Sequence, residues 1–168
     1  MVHIFVPSLR PSHLPIAVAQ MDVRDVEPST IPFALVVTSE ALLALEIEDL
    51  LSPKGFQVRS ALSEEAAMDA NLDGVVVAIV HLRLTEKLTG QTVIRELRKR
   101  VPNLPVVVIT GYDALAPQAD LRGLGGPTVR LHMPDHHRDL TTIIRSLLEE
   151  PPGEFGRAFT DHRKGWRV

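Results

Sequence analysis

The feature that most constrains the fold is an unbroken apolar run, Val75 to Val80, which follows Asp73 and Gly74 and stops at His81. Such a run of mostly β-branched residues is typical of a strand that is buried on both faces of a parallel sheet. In open parallel sheets, ligands and chemistry collect just beyond the carboxyl ends of the strands. We therefore expect the functional residues of this chain to lie around His81.

The composition excludes several classes of protein. The 168 residues are 45% hydrophobic and 23% charged, which is enough for one domain with a core and terminal extensions. A net charge of -3 gives no general attraction to nucleic acid or to an anionic membrane. The absence of cysteine excludes disulfides and thiolate metal sites. No apolar run reaches the roughly 20 residues of a membrane span, and no signal-peptide pattern is present. We therefore expect a cytoplasmic location.

Strand-like runs recur along the chain, and each is followed by a helical pattern. The strands are predicted to begin near residues 33, 56, 75, 104 and 128. Strands that alternate with single helices imply a parallel sheet with helices on both faces. We predict an α/β, flavodoxin-like (βα)5 fold, a doubly wound parallel sheet in the order 2-1-3-4-5. The proline-broken segment 1–31 is predicted to be an extension, residues 32–150 the domain, and residues 151–168 a tail.

Local signals mark the predicted helices. Ser39 is the candidate N-cap of the first helix, and Ser63 that of the second, which is expected to extend to about residue 70. A short fourth helix is expected near residues 117–124. The third helix ends in a basic cluster, Arg95 to Arg100. We interpret this cluster as a solvated face at the negative end of the helix dipole, with an acidic partner as the alternative.

Four groups of residues along this pattern resemble the response-regulator receiver domain: residues 35–37, 80–84, 106–113 and 132–134. The resemblance covers about residues 33–150, in order and with similar spacing. It implies phosphoryl transfer from a histidine kinase to an aspartate at the end of the third strand. In that family an acidic pair holds magnesium, while a Thr or Ser and a Lys bind the phosphoryl oxygens, which offsets the charge of the transferring group.

The sequence departs from that family at most of the pocket positions. Thr38 and Ser39 align with the acidic pair, His81 with the phosphorylated aspartate, and Met133 with the lysine; Thr110 is retained. Magnesium usually needs one or two carboxylates, and these residues provide no anionic oxygen at the expected positions. We therefore expect no metal, no cofactor and no standard receiver phosphorylation.

His81 itself has several interpretations. It could be a phosphorylated histidine, a transition-metal ligand, or a neutral imidazole that fills the pocket and hydrogen-bonds Thr38, Ser39 or Thr110. The last is favoured because His81 lacks partners at metal-site spacing.

The resemblance and its gaps together predict a function. We expect an atypical receiver domain of two-component signalling that is not an enzyme and that binds a protein partner, either a signalling protein or a histidine kinase. The alternatives are a phosphorelay component that carries phosphate on His81, and a small flavodoxin-like enzyme.

A binding face is also predicted. Arg130 stands where the family has an aromatic switch residue, and we expect its side chain to stay outward or to pair with a carboxylate such as Asp113. The predicted face consists of Arg130, Arg138, Thr142 and Arg145. Its partner is another protein or a second copy of the chain.

Two further segments are less informative. His132, His136 and His137 cluster in sequence, but their spacing fits no standard zinc pattern, so we predict loop polarity and helix capping in a solvent-facing loop. The tail mixes aromatic and basic residues, as in Phe155 to Arg167, and is expected to be disordered. No DNA-binding module follows residue 150, and no nucleic-acid partner is expected.

Overall fold

The computed structural model describes residues 31–84, 90–112 and 120–149. The predictions for the N-terminal extension and for the tail after residue 150 lie outside this part of the chain. Five parallel strands form one sheet in the order β2-β1-β3-β4-β5. The predicted fold class and strand order are confirmed. The strands are β1 Phe33–Val37, β2 Gln57–Ala61, β3 Val75–His81, β4 Val106–Thr110 and β5 Thr128–His132.

Four α-helices lie in the described ranges, and none of them is long and apolar enough to cross a membrane. A short 3-10 turn, Ser52–Lys54, follows the first helix. The helices are α1 Ala41–Leu51, α2 Glu64–Met68, α3 Gly90–Arg100 and α4 His136–Glu149.

The alternation of side chains along the strands builds two apolar cores, one on each face of the sheet. Leu35 and Val37 of β1 belong to the core that includes residues of α2 and α3. Ala34 and Val36 belong to the core that includes residues of α1 and α4. Because β3 and β4 contribute to both cores, their apolar runs are continuous rather than alternating.

The helix boundaries differ from the sequence predictions in three places. The N-cap of α1 is Glu40, not Ser39, and α2 ends at Met68 rather than near residue 70. The Ser63 side chain does cap α2, because its hydroxyl accepts a hydrogen bond from the Ala66 N–H. Of the short helix predicted near residues 117–124, residues 120–124 are not helical, and the remainder lies outside the described ranges.

Arg98 was expected on a solvated face, and this expectation was wrong. Its side chain is buried, and its guanidinium donates hydrogen bonds to the carbonyl oxygens of Leu104, Leu124 and Pro127 at 2.7–3.3 Å. Leu104 lies just before β4, whereas Leu124 and Pro127 lie in the loop before β5, so the arginine joins the end of α3 to both segments. Burial lowers the pKa of Arg98 to about 10, which leaves the group charged near neutral pH.

The start of α3 packs closely against the end of β3. A Cβ at Gly90 would lie 2.7 Å from the carbonyl oxygens of both His81 and Leu82, so only glycine fits without displacing the backbone. The Gly90 N–H also donates to the Leu82 carbonyl at 3.2 Å. This contact fixes the backbone that carries His81.

Candidate functional site at the carboxyl edge of the sheet

The parallel register brings the ends of four strands to one edge. Val37 pairs with Val80, His81 with Ile109, and Thr110 with His132. Thr38 and Met133 follow β1 and β5 directly, and so they lie at the same edge as His81 and Thr110. The carboxyl edge of an open parallel sheet is where such folds usually place their functional sites.

His81 and Thr38 form the buried centre of this edge. The His81 side chain is buried, and Thr38 is fully buried. The Thr38 Oγ1 lies 3.4 Å from the Nδ1 of His81, in a long hydrogen bond whose direction depends on the imidazole tautomer. The same oxygen accepts a hydrogen bond from the Glu40 N–H at 3.1 Å, so one hydroxyl joins the start of α1 to the histidine.

Glu40 is a pocket residue that the sequence analysis missed. Its Oε1 lies 3.6 Å from the His81 Nδ1, while the carboxylate remains 56% exposed. Because α1 begins at Ala41, Glu40 has extended backbone and its side chain can turn toward the sheet edge. No spacing rule pairs Glu40 with a residue as distant along the chain as His81.

The surroundings of His81 favour the neutral imidazole. Burial is the largest influence and lowers the pKa of His81 below its ordinary value of 6.5. The Glu40 carboxylate opposes this shift, and the charges of Arg83 and His136 add to the lowering. A neutral, buried ring therefore occupies the end of β3 at neutral pH.

Thr110 and Met133 lie side by side but have different roles. The Thr110 side chain is buried, and its hydroxyl accepts a hydrogen bond from the Tyr112 N–H at 3.1 Å. The Met133 N–H donates to the Thr110 carbonyl at 2.9 Å, and a cis peptide bond follows to Pro134. The partly buried Met133 side chain packs against the core beneath α1 and α4. It thus adds apolar surface to the edge of the pocket and no charge.

Ser39 does not share the environment of Thr38. It is exposed, whereas its neighbour is fully buried. The two aligned hydroxyls are therefore not equivalent, and Thr38 is the one that contacts His81.

Arg130 was predicted either to stay outward or to pair with a carboxylate, and the outward alternative was wrong. Its side chain is only 7% exposed. Since Val129 and Leu131 pack on the core beneath α1 and α4, strand alternation directs Arg130 to the opposite face of the sheet. The charge of Arg130 also acts on Asp120. Hydrogen bonds from Arg122 lower the pKa of Asp120 to about 2, and the positive charge of Arg130 adds to this lowering. The candidate partner Asp113 lies outside the described residues.

The other three residues of the predicted binding face have the exposure that a contact surface requires. Arg138, Thr142 and Arg145 are all exposed on α4. Their spacing of four and three residues places them on one stripe of the helix. We call these three residues the α4 stripe.

The clustered histidines are not all in a solvent-facing loop. His132 ends β5 and is half-buried, whereas His136 and His137 open α4. His136 is buried, which corrects the predicted exposure. Burial follows from its place at the first turn of α4, where the helix meets α1.

Comparison with known proteins places the fold among receiver domains. No protein-family model and no curated protein matches the sequence. A response regulator receiver domain protein from Clostridium thermocellum is 25% identical with a TM-score of 0.60, covering 70% of this chain and 94% of that chain. A response regulator receiver protein from Sinorhizobium medicae WSM419 is 27% identical with a TM-score of 0.57, covering 70% and 94%.

A third structure shows the same fold at lower identity. The chemotaxis protein CheY4 of Vibrio cholerae is 16% identical with a TM-score of 0.61, covering 70% of this chain and 99% of that chain. The chain thus has the receiver-domain fold. Its likeness to response regulators supports a function of that type in two-component signalling.

Proposed function

We propose that this chain is a pseudo-receiver, which acts in two-component signalling by contact with a protein partner and without phosphorylation of an aspartate. The partner would be a signalling protein or a histidine kinase. The observation that carries the proposal is the buried imidazole of His81, held by the Thr38 hydroxyl at the end of β3. The receiver family has its phosphorylated carboxylate at this position.

The chemistry of the pocket supports the proposal. Phosphoryl transfer needs a nucleophile together with positive charge that stabilises the transferring group. Met133 brings an apolar side chain where the family has a lysine, and it packs against the core. Glu40 brings a carboxylate, but this group is largely exposed and faces His81, and its neighbours Thr38 and Ser39 are neutral. One exposed carboxylate is a poor basis for a magnesium site.

A series of variants tests whether these losses explain the expected inactivity. His81→Asp alone should not be phosphorylated by a small phosphodonor with magnesium, because the metal ligands and the lysine would still be absent. His81→Asp combined with Thr38→Asp, Ser39→Asp and Met133→Lys should gain phosphorylation. Thermal melting of each variant would show that it is folded. Efficient labelling of the single variant would contradict the proposal.

A second candidate function is phosphate transfer through His81. The observation that favours it is the Glu40 carboxylate at 3.6 Å from Nδ1, because a carboxylate on one ring nitrogen raises the basicity of the other. A phosphorylated histidine is labile to acid and stable to base, whereas an aspartyl phosphate is labile to base. Incubation with a histidine kinase and ATP, followed by acid and base treatment, separates these outcomes. Glu40→Gln should reduce any label on His81.

The proposed partner surface is the α4 stripe, Arg138, Thr142 and Arg145. The two arginines suit an acidic protein surface. Beside Arg145, a groove between the ends of α1 and α4 is lined by Leu51, Phe56 and the exposed Leu148. A basic stripe next to an apolar groove offers both the steering charge and the desolvated contact that protein interfaces use.

The surface is proposed to be constitutive. The family's switch moves an aromatic side chain of the fifth strand inward on phosphorylation. Arg130 occupies that position and is already buried, so an exposed-to-buried exchange of the same side chain is not available. Partner binding should therefore be independent of phosphodonor.

A further inference from the structure

The start of α4 meets α1 at a cluster of three ligand-type side chains. Glu46 of α1 lies against His136 and His137, the first two residues of α4. The Nε2 of His137 is 2.7 Å from Glu46 Oε1, and the Nε2 of His136 is 3.6 Å from Glu46 Oε2. One ligand atom from each residue lies within 4.8 Å of the others.

These separations suit a metal ion of the zinc type. Tetrahedral zinc has nitrogen and oxygen ligands at about 2.1 Å, which places neighbouring ligand atoms about 3.4 Å apart. The two nitrogen–oxygen separations, 2.7 Å to Oε1 and 3.6 Å to Oε2 of Glu46, lie on either side of that value. Because one ligand atom of each residue lies within 4.8 Å of the others, side-chain rotation would have to bring the three to the spacing of a bound ion.

His136 provides an independent indication of a ligand. It is only 2% exposed, and neither of its ring nitrogens makes a hydrogen bond of ordinary length and angle among the described residues, although the Glu46 carboxylate and the Pro134 backbone lie near them. A buried polar atom without a partner costs free energy. The Nε2 of His136 faces the Glu46 carboxylate at a distance beyond hydrogen bonding, so an ion between them would satisfy both groups.

We propose that Glu46, His136 and His137 bind a zinc ion. Two imidazoles and one carboxylate form a donor set suited to zinc and related transition metals, whereas magnesium prefers oxygen ligands alone. The sequence predicts no metal site here, because the histidines are adjacent and the carboxylate lies 90 residues earlier on another helix. Only the packing of α4 on α1 brings the three together.

Zinc would replace the hydrogen bond between His137 and Glu46, and the bound His137 imidazole would carry its proton on Nδ1. The side chains of Glu46 and His137 remain 40% and 43% exposed, so an ion can enter from solvent.

A zinc ion at this place would join α1 to the first turn of α4. That turn leads directly into the α4 stripe, so the ion would fix the helix that carries the proposed partner surface. With three protein ligands, one coordination position is left for water or for a donor from a partner. The proposed zinc binding does not depend on whether the α4 stripe is the partner surface.

Calorimetric titration of the full, untagged chain with zinc chloride, in a non-coordinating buffer, tests the proposal. We expect one saturable site, and Glu46→Gln or His137→Gln should each weaken binding by at least about tenfold. Glu46→Gln keeps the shape of the side chain and a hydrogen bond to His137, so a purely structural pair would survive it. His132→Gln, at the end of β5, is the matched control and should bind zinc like the parent.

Cobalt provides a second readout that does not depend on the stability of the variants. Cobalt bound by the wild-type chain should give the intense visible bands of a tetrahedral site, and zinc should abolish them. The thermal midpoint of the wild type should also rise with zinc concentration. Absence of saturable binding, or binding that Glu46→Gln and His137→Gln leave unchanged, would overturn the proposal and assign the cluster to a helix-helix contact alone.

Discussion

The Thr38 hydroxyl lies 3.4 Å from the Nδ1 of His81, and both side chains are buried at the carboxyl edge of the sheet. Receiver domains place charged groups at the aligned positions, which is costly without a metal ion. Here the centre of the edge is a neutral pair instead. The edge is therefore stabilised by a hydrogen bond and by burial, and this has consequences that can be measured.

The first prediction concerns the Thr38 hydroxyl. Thr38→Val keeps the shape of the side chain but removes the partner of both His81 Nδ1 and the Glu40 N–H. We expect a loss of about 1–3 kcal/mol in the free energy of unfolding. The matched control is the exposed Ser39→Ala, which should change it by less than about 0.5 kcal/mol. Equal effects in urea denaturation would show that Thr38 does not hold the pocket.

The second prediction is a pH dependence of folding stability. The pKa of His81 is lowered in the folded chain, chiefly by burial, whereas the unfolded chain has its ordinary value of 6.5. Between these two values the unfolded state binds more protons, so the free energy of unfolding falls as the pH decreases below 6.5. His136 shifts in the same direction and adds to the effect.

Replacement of His81 separates its contribution to the pH dependence of stability from that of His136. His81→Gln should lose part of the decrease in stability between about pH 7 and about pH 5, as measured by urea denaturation at each pH. The His136 contribution should remain. A variant with the same pH profile as the parent would contradict the assignment of a buried, neutral His81.

The third prediction concerns the buried Arg98. Arg98→Ala would remove the guanidinium donor from the carbonyls of Leu104, Leu124 and Pro127, although Pro127 would still accept from the Val106 N–H. We expect a loss of about 3 kcal/mol in the free energy of unfolding. Thermal or urea denaturation measures this loss. A change of less than about 1 kcal/mol would show that water replaces the guanidinium.

A pair of glycines tests the same contact without removing the arginine. A Cβ at Gly126 would lie 2.8 Å from the Arg98 Nε, whereas one at Gly125 meets nothing within 4 Å. Both residues have positive φ, so Gly125→Ala measures the backbone strain alone, about 1–2 kcal/mol. Gly126→Ala should be the more destabilising, because it must also displace Arg98.

The fourth prediction concerns the α4 stripe. Arg138→Ala combined with Arg145→Ala should weaken partner binding or self-association while leaving the thermal midpoint nearly unchanged, because both side chains are exposed. Light scattering measures self-association, and calorimetry measures binding to a candidate histidine kinase. Unchanged association in the double variant would place the output surface elsewhere.

Arg130→Ala is expected to behave differently from the stripe variants. Since Arg130 is buried, its removal should lower the thermal midpoint, and any loss of binding would be indirect. A melting curve identical to that of the parent would contradict this assignment.

The sheet could be predicted well from the sequence because its strands are marked by patterns of neighbouring residues along the chain. The runs at β3 and β4 are apolar along their whole length, since each strand is covered on both faces, and the ordered alternation with helices determines the strand order. The strand ends then follow from the chain alone. Thr38, His81, Thr110 and Met133 could be placed at one edge for this reason.

The sequence could not predict which way individual polar side chains turn. Arg98 and Arg130 look like surface residues by type, yet the loop carbonyls near α3 and the alternation of β5 draw them inward. Glu40 and Glu46 acquire histidine partners only through packing at long sequence separation. These contacts depend on the relative position of helices, which residue spacing does not encode.

The most direct test of the account is the intact mass of the wild-type chain after incubation with a small phosphodonor and magnesium. The pocket has a neutral His81 and an apolar Met133 where receiver chemistry needs a carboxylate and a lysine. We predict an unchanged mass under conditions that fully phosphorylate an ordinary receiver domain run in parallel. A mass increase of one phosphoryl group, stable to acid and lost in base, would contradict the account.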